Sequence, residues 1–176
     1  GSSSISNCTI DMTGHMDYDK ANSNRGKYCG FLIGNAVGTI SNIYGKAIGD
    51  IDCGKYGGLL FGYSGSATIT NCALYYDGDI RCAGAFGLAI GWWNSGVYMR
   101  NITVCCKGTI DGNGTNRGSW SGPYSNFGLI AGYSINGDFR NISICCSSTI
   151  TNFNTKFGCL IGECATTATD ITNTSI

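Results

Sequence analysis

Apolar positions along this chain fall in short runs bounded by glycine: Gly30-Phe31-Leu32-Ile33-Gly34, Gly58-Leu59-Leu60-Phe61-Gly62, Gly87-Leu88-Ala89-Ile90-Gly91, Gly128-Leu129-Ile130-Ala131-Gly132 and Gly158-Cys159-Leu160-Ile161-Gly162. The second glycines, Gly34, Gly62, Gly91, Gly132 and Gly162, are 28, 29, 41 and 30 residues apart. Eight to ten residues after each stands an asparagine, Asn42, Asn71, Asn101 or Asn141, with Asp170 expected to take that place in the last repeat. Nine residues further on stands Ile51, Ile80, Ile110 or Ile150. The amino-terminal stretch joins the series through Asn7 and Met16. Runs this short, alternating and glycine-bounded, read as strands, and no stretch has the caps and 3.6-residue period of a helix. A repeat of this size cannot bury its own apolar side, so several must stack. The pattern therefore predicts an all-β, parallel β-helix-like β-solenoid. Each turn has three short strands in about 28–30 residues, and roughly five to six turns lie about 4.8 Å apart.

The columns formed by aligning the repeats support this reading. Two residues before the asparagine stand Ile5, Ile40, Ile69, Met99, Phe139 and Ala168, and one after it Cys8, Ile43, Cys72, Ile102, Ile142 and Ile171. Three after it stand Ile10, Gly45, Leu74, Val104, Ile144 and Asn173. These columns are expected to face inward. Ser6, Ser41, Thr70, Arg100, Arg140 and Thr169, just before the asparagine, are expected to face out. Inward parity changes at the asparagine, which marks it as a bend. Asparagine tolerates unusual backbone geometry, and stacked amides can bond from one turn to the next as a ladder.

The glycine-bounded runs, with elements such as Thr68-Ile69-Thr70-Asn71-Cys72 and Thr39-Ile40-Ser41-Asn42-Ile43, resemble the GLUG-motif repeat of bacterial surface proteins, among them large adhesins and IgA-peptidase relatives. The resemblance spans residues 5–176 with one insertion, 111–126, and it departs from the usual pattern in its cysteine content. It implies a single solenoid domain, a fragment of a longer secreted or surface repeat protein that serves as stalk or adhesion module.

Composition narrows the function classes. Eleven basic and eleven acidic residues give zero net charge, so no strong field steers nucleic acid or an anionic membrane to this chain. No apolar stretch approaches the roughly 20 residues of a membrane span. Ser, Thr, Asn and Gly carry the polar surface, as is common in secreted β proteins. The opening Gly1-Ser2 resembles a cloning scar, so a leader is expected to have been cut away. The repeat is already under way at Ser3 and breaks off at Ile176, so neighbouring turns of the same chain, or partner chains, are expected to cover the open strand edges.

Candidate chemistry lies where the repeats deviate. His15 is the only histidine, and no serine or cysteine can be assigned to it, so it reads as a solvated loop residue. No Cys-x-x-Cys pair exists for a structural zinc site, and no cofactor is implied. Asp111 and Asn113 faintly resemble a calcium loop but lack the distal glutamate. Asp77 and Asp79 flank Gly78. A lyase or glycosidase on a β-helix scaffold is the alternative function, and it needs carboxylates that converge on one outer face. An ice-binding threonine face would need a regular column, which Arg100 and Arg140 interrupt. Trp92, Trp93, Trp120 and Tyr124 fall at corners or in the insertion, outside the inward columns. Exposed rings beside Asn and Ser suit stacking on a glycan or docking a protein. An equal alternative is that the inserted loop buries Trp120 against Trp92 and Trp93. Eleven cysteines are either a disulfide framework or small core residues. Aligned pairs Cys105 with Cys145, Cys106 with Cys146 and Cys53 with Cys82 are candidate cross-turn bridges. Asn113 is the sequon best placed for glycosylation.

Overall fold

The computed structural model describes residues 3–16, 28–54, 56–82, 84–94, 96–112, 126–153, 156–165 and 170–176. Trp120, Tyr124, Asn113, Asp17 and Asp19 lie outside them, as do Ala168 and Thr169. The strands run in chain order as follows. The amino-terminal repeat is β1 (Ser4–Thr13). The next contains β2 (Tyr28–Gly30), β3 (Ile33–Ile48) and β4 (Ile51–Cys53), and the third β5 (Tyr56–Gly58), β6 (Phe61–Asp77) and β7 (Ile80–Cys82). The fourth comprises β8 (Ala85–Gly87), β9 (Ile90–Trp93) and β10 (Val97–Asp111), and the fifth β11 (Asn126–Gly128), β12 (Ala131–Ser134) and β13 (Gly137–Thr151). The last holds β14 (Lys156–Gly158), β15 (Ile161–Cys164) and β16 (Asp170–Thr172).

The chain is all-β in its described residues, and each strand pairs in parallel with its counterpart one repeat away. One sheet joins β14, β11, β8, β5 and β2; the other joins the eleven remaining strands, and neither closes on itself. The arrangement is compatible with a β-helix-like fold. The register matches the sequence columns: Ile40 lies beside Ile69, Ile69 beside Met99, and Met99 beside Phe139, all four buried. The closing isoleucines Ile51, Ile80, Ile110 and Ile150 stack in turn, and Met16 bridges to Ile51.

Two expectations change. The glycine-bounded run and the run around the asparagine are not separate strands in the second and third repeats. β3 and β6 are 16 and 17 residues long, begin inside the glycine-bounded run at Ile33 and Phe61, and stay paired on both sides of the bend with one register shift at Ala36/Val37. The asparagine makes this continuity physically accessible. Asn7, Asn42, Asn71, Asn101, Asn141 and Asn173 all have φ between 52° and 56°. In that left-handed conformation, costly for most side chains, the chain turns a corner and resumes its ladder. The second correction is the last member of this column. Asp138 pairs with Asp170, and Asn173, not Asp170, continues from Asn141. Ile171 accordingly stacks on Phe139, and Thr172 rather than Thr169 shares a column with Arg140. The chemistry favours this register, because an ionised Asp170 could accept a hydrogen bond but could not donate one onward.

The six amides form one continuous chain. Nδ2 of Asn42 donates to Oδ1 of Asn7 at 3.0 Å, Asn71 to Asn42 at 3.1 Å, Asn101 to Asn71 at 2.9 Å, Asn141 to Asn101 at 2.8 Å and Asn173 to Asn141 at 3.2 Å. Inside the fold, Leu59, Leu60, Phe61, Phe86, Leu88, Phe127 and Ile130 are fully enclosed with the stacked isoleucines. Phe86, Phe127 and Phe157 stack in one file, with centroids 6.4 and 5.2 Å apart. The second glycine of each run serves a close approach between the two sheets. A Cβ on Gly62 would lie 2.6 Å from the Cys29 nitrogen and 2.8 Å from the Gly34 oxygen, closer than real side chains come.

Candidate functional site

The outer face that departs most from a plain scaffold is the edge where β9 meets the five-stranded sheet. Register places Asn35, Tyr63, Trp92, Tyr133 and Glu163 in one column. Tyr28 and Tyr56 lie side by side in the facing column of β2 and β5. Because columns repeat at the inter-strand spacing of about 4.8 Å, large rings in both columns must interleave. Tyr28 lies 4.5 Å from Tyr63, Tyr56 meets Trp92 edge-on at 4.1 Å, and Trp92 lies 4.8 Å from Tyr133. Tyr56 is buried, while Tyr28, Tyr63, Trp92 and Tyr133 stay partly exposed, so the file presents a continuous aromatic strip. Asn94 donates to the Tyr63 hydroxyl at 3.3 Å.

The strip ends in polar groups. Asn126, fully buried, donates through Nδ2 to Glu163 Oε2 at 2.8 Å, and Lys156 closes on the other carboxylate oxygen of Glu163. Trp92 Nε1 and Asn126 Oδ1 are enclosed and meet no hydrogen-bond partner among the described residues. Polar atoms left this way cost about 1–3 kcal/mol each. They therefore mark where a ligand or a further part of the chain would have most to gain.

Of the four aromatic residues singled out from sequence, Trp120 and Tyr124 lie outside the described residues, and of the other two one stands at this edge. Trp92 is half-buried in the strip. Trp93 is not a surface residue: it has no exposed area and packs on Phe139 at 4.7 Å. Its column is otherwise filled by Ala36, Ser64, Ser134 and Cys164. Gly137 opens the space, since a Cβ there would lie 2.8 Å from the Trp93 Nε1. Two adjacent tryptophans thus take opposite roles, because neighbouring strand positions face opposite sides. Tyr28, Tyr56, Tyr63 and Tyr133 were not picked out by sequence reasoning. The signal was present, since Tyr63 and Tyr133 occupy the position of Trp92, immediately after the second glycine.

Elsewhere the candidate chemistry resolves into structural roles. Asp50 Oδ1 accepts the Asp79 amide at 3.0 Å, and Asp79 Oδ1 accepts the Thr109 amide at 2.8 Å. Asp111 accepts from Asn152 Nδ2 at 2.8 Å, and Asp52 faces Arg81 at 3.9 Å. Among the described residues no group of three or more His, Cys, Asp and Glu surrounds a common point. His15 is exposed.

The cysteine columns align as expected: Cys53 pairs with Cys82, Cys105 with Cys145 and Cys106 with Cys146. The three pairs are unbridged in this structure. Cys53, Cys82 and Cys106 are buried. Burial drives the thiols of Cys82 and Cys106 up, the latter to about 12. Cys53 rises well above its ordinary value, first through its hydrogen bond with Cys29 and then through burial. Cys105 and Cys145 point outward and share a hydrogen bond. They line a groove of about 430 Å³ with Tyr75 and Lys107. Comparison of the chain with protein-family models, curated proteins and solved structures gave no match.

Proposed function

We propose that this chain is a non-catalytic β-solenoid module of an extracellular or cell-surface protein, of the GLUG-repeat kind, and that it binds a glycan along the Tyr28–Tyr63–Tyr56–Trp92–Tyr133 strip. The observation that carries the reading is the strip itself. It is a run of rings on one edge, buried at Tyr56 and partly exposed at Tyr28, Tyr63, Trp92 and Tyr133, ending in the amide and charged groups of Asn126, Glu163 and Lys156. Flat apolar rings beside convergent polar groups suit the mixed apolar and hydroxyl faces of sugars. The solenoid reading is supported by uniformly parallel, in-register pairing and by the unbroken asparagine ladder. A neutral surface rich in Ser, Thr and Asn supports the extracellular setting. The carboxylates with placed partners are held by backbone amides, an asparagine or cationic side chains, which supports a scaffold rather than a catalytic use.

Binding to a glycan array, measured for the native chain and for Trp92→Ala and Tyr133→Ala, tests this. Loss of one stacking ring weakens binding about tenfold, or ~1.4 kcal/mol, in variants whose far-ultraviolet circular dichroism is unchanged. If no glycan binds, or if folded Trp92→Ala binds as the native chain does, the reading is wrong.

A further inference from the structure

A second outer face, away from the aromatic strip, carries a paired-thiol feature that does not depend on the glycan reading. Cys105 on β10 and Cys145 on β13 stand side by side in parallel register, next to Tyr75 of β6. We propose that Cys105 and Cys145 form a two-thiolate binding site for a soft monovalent cation of the copper(I) class. Neighbouring strands lie about 4.8 Å apart, and two metal–thiolate bonds of about 2.3 Å placed end to end span about 4.6 Å, so one cation can bridge the two in-register thiolates. The donor set selects the metal. No third His, Cys, Asp or Glu joins the pair among the described residues. A tetrahedral zinc site and an oxygen-lined calcium site are therefore both unsupported, and soft cations that accept two thiolates remain.

The surroundings favour the product. One monovalent cation on two thiolates leaves one net negative charge, and Lys107, two residues beyond Cys105 and paired with Asp77 at 3.4 Å, lines the same groove. The half-exposed Tyr75 ring lies beside Cys105 and shields that side from water. Access distinguishes this pair: Cys145 is exposed and Cys105 half-buried, whereas Cys53 and Cys82 are buried. In the adjoining Cys106–Cys146 pair, which lines the same groove, Cys106 is buried and Cys146 half-buried. Binding breaks two S–H bonds, forms two metal–sulfur bonds, releases two protons to solvent and transfers no electrons. The hydrogen bond shared with Cys145 holds the Cys105 proton up to about 11. The cation therefore competes with protons, and its affinity falls as pH falls.

Silver(I), a redox-inert probe of the same class, tests the site on the full chain kept reduced. One equivalent protects both Cys105 and Cys145 from alkylation in a residue-by-residue peptide map. Competition against a thiol chelator gives an affinity roughly hundredfold weaker in Cys105→Ser and in Cys145→Ser, through loss of the chelate. Cys159→Ser, at an exposed cysteine outside the pair, leaves it unchanged. Protection confined to other cysteines, undiminished affinity in the Cys105→Ser/Cys145→Ser double variant, or a native mass two hydrogens low with both residues bridged would each overturn the proposal. If a serine variant does not fold, the protection map of the native chain decides alone.

Discussion

Replacing Asn71 separates the two jobs this residue does. Its φ is 55°, and its amide donates to Asn42 at 3.1 Å and accepts from Asn101 at 2.9 Å. Alanine in this conformation pays about 1–2 kcal/mol of backbone strain. It also forfeits both ladder bonds, worth about 0.5 kcal/mol each at an exposed site. Asn71→Ala is thus expected to cost about 2–3 kcal/mol. Glycine carries no such strain but loses the same bonds and adds freedom to the unfolded chain, about 0.5–1 kcal/mol, so Asn71→Gly costs about 1.5–2 kcal/mol. Aspartate keeps the acceptor and tolerates the bend, but it turns a carboxylate oxygen toward Asn42 Oδ1 and falls between the two. With a urea slope near 2 kcal/mol per molar, the midpoint falls by about 1–1.5 M for alanine and about 0.8–1 M for glycine. Equilibrium urea unfolding followed by circular dichroism measures this. If alanine is as stable as glycine, the left-handed bend is not what requires asparagine; if neither variant shifts the midpoint, the ladder does not stabilise the fold.

Two further outcomes follow from the buried polar groups. The Tyr76 hydroxyl, on a fully buried ring, donates to the Gly49 carbonyl at 2.6 Å and reaches Asp79 O at 3.2 Å. Tyr76→Phe therefore removes a donor from an enclosed carbonyl and costs about 1–3 kcal/mol, read as a lower urea midpoint; an unchanged midpoint would mean that water replaces the hydroxyl. Alkaline pH supplies the other test. Burial raises Cys106 from 9.0 to about 12 and drives Cys82 up as well. Between those values the unfolded chain has lost thiol protons that the folded chain keeps. Stability is thus fully present below about 9 and falls as pH rises toward 12. Thermal unfolding scans between pH 7.5 and 10.5 check the sign, and a Cys82→Ala/Cys106→Ala variant flattens the alkaline slope. A slope that does not change in that variant rules out these two thiols as its source.

The parts of the fold that sequence revealed are those written in more than one repeat. Ile40, Ile69, Met99 and Phe139 could be assigned inward because they recur at one phase, and the amide ladder followed from Asn42, Asn71, Asn101 and Asn141. The last repeat was misread by three residues, because Gly162 is eleven residues from Asn173, a longer step than in its neighbours. An acidic residue at the usual distance was an attractive substitute, and only the donor geometry of the ladder distinguishes Asn173 from Asp170. The aromatic strip was half legible. Trp92 attracted notice as a large ring at a corner, but the strip depends on contacts between two columns far apart in sequence. Tyr56 in β5 is separated from Trp92 in β9 by three strands, β6, β7 and β8, so no local pattern announces their edge-on contact.

Trp93 explains why adjacent identical residues can carry different meanings in such a chain. An inward column has a fixed cross-section, and a tryptophan among Ala36, Ser64 and Ser134 must be compensated nearby. Gly137 provides that compensation, and the Nε1 of Trp93 remains without a partner among the described residues as its cost. An outward column has no such constraint. It can read Asn35, Tyr63, Trp92, Tyr133 and Glu163 in successive repeats with no change in the backbone. Side-chain variety in this architecture therefore accumulates along outward columns, where each substitution meets its neighbours at a fixed spacing. The tyrosine–tryptophan file and the Cys105–Cys145 pair are both built this way, on separate faces of one unchanged core.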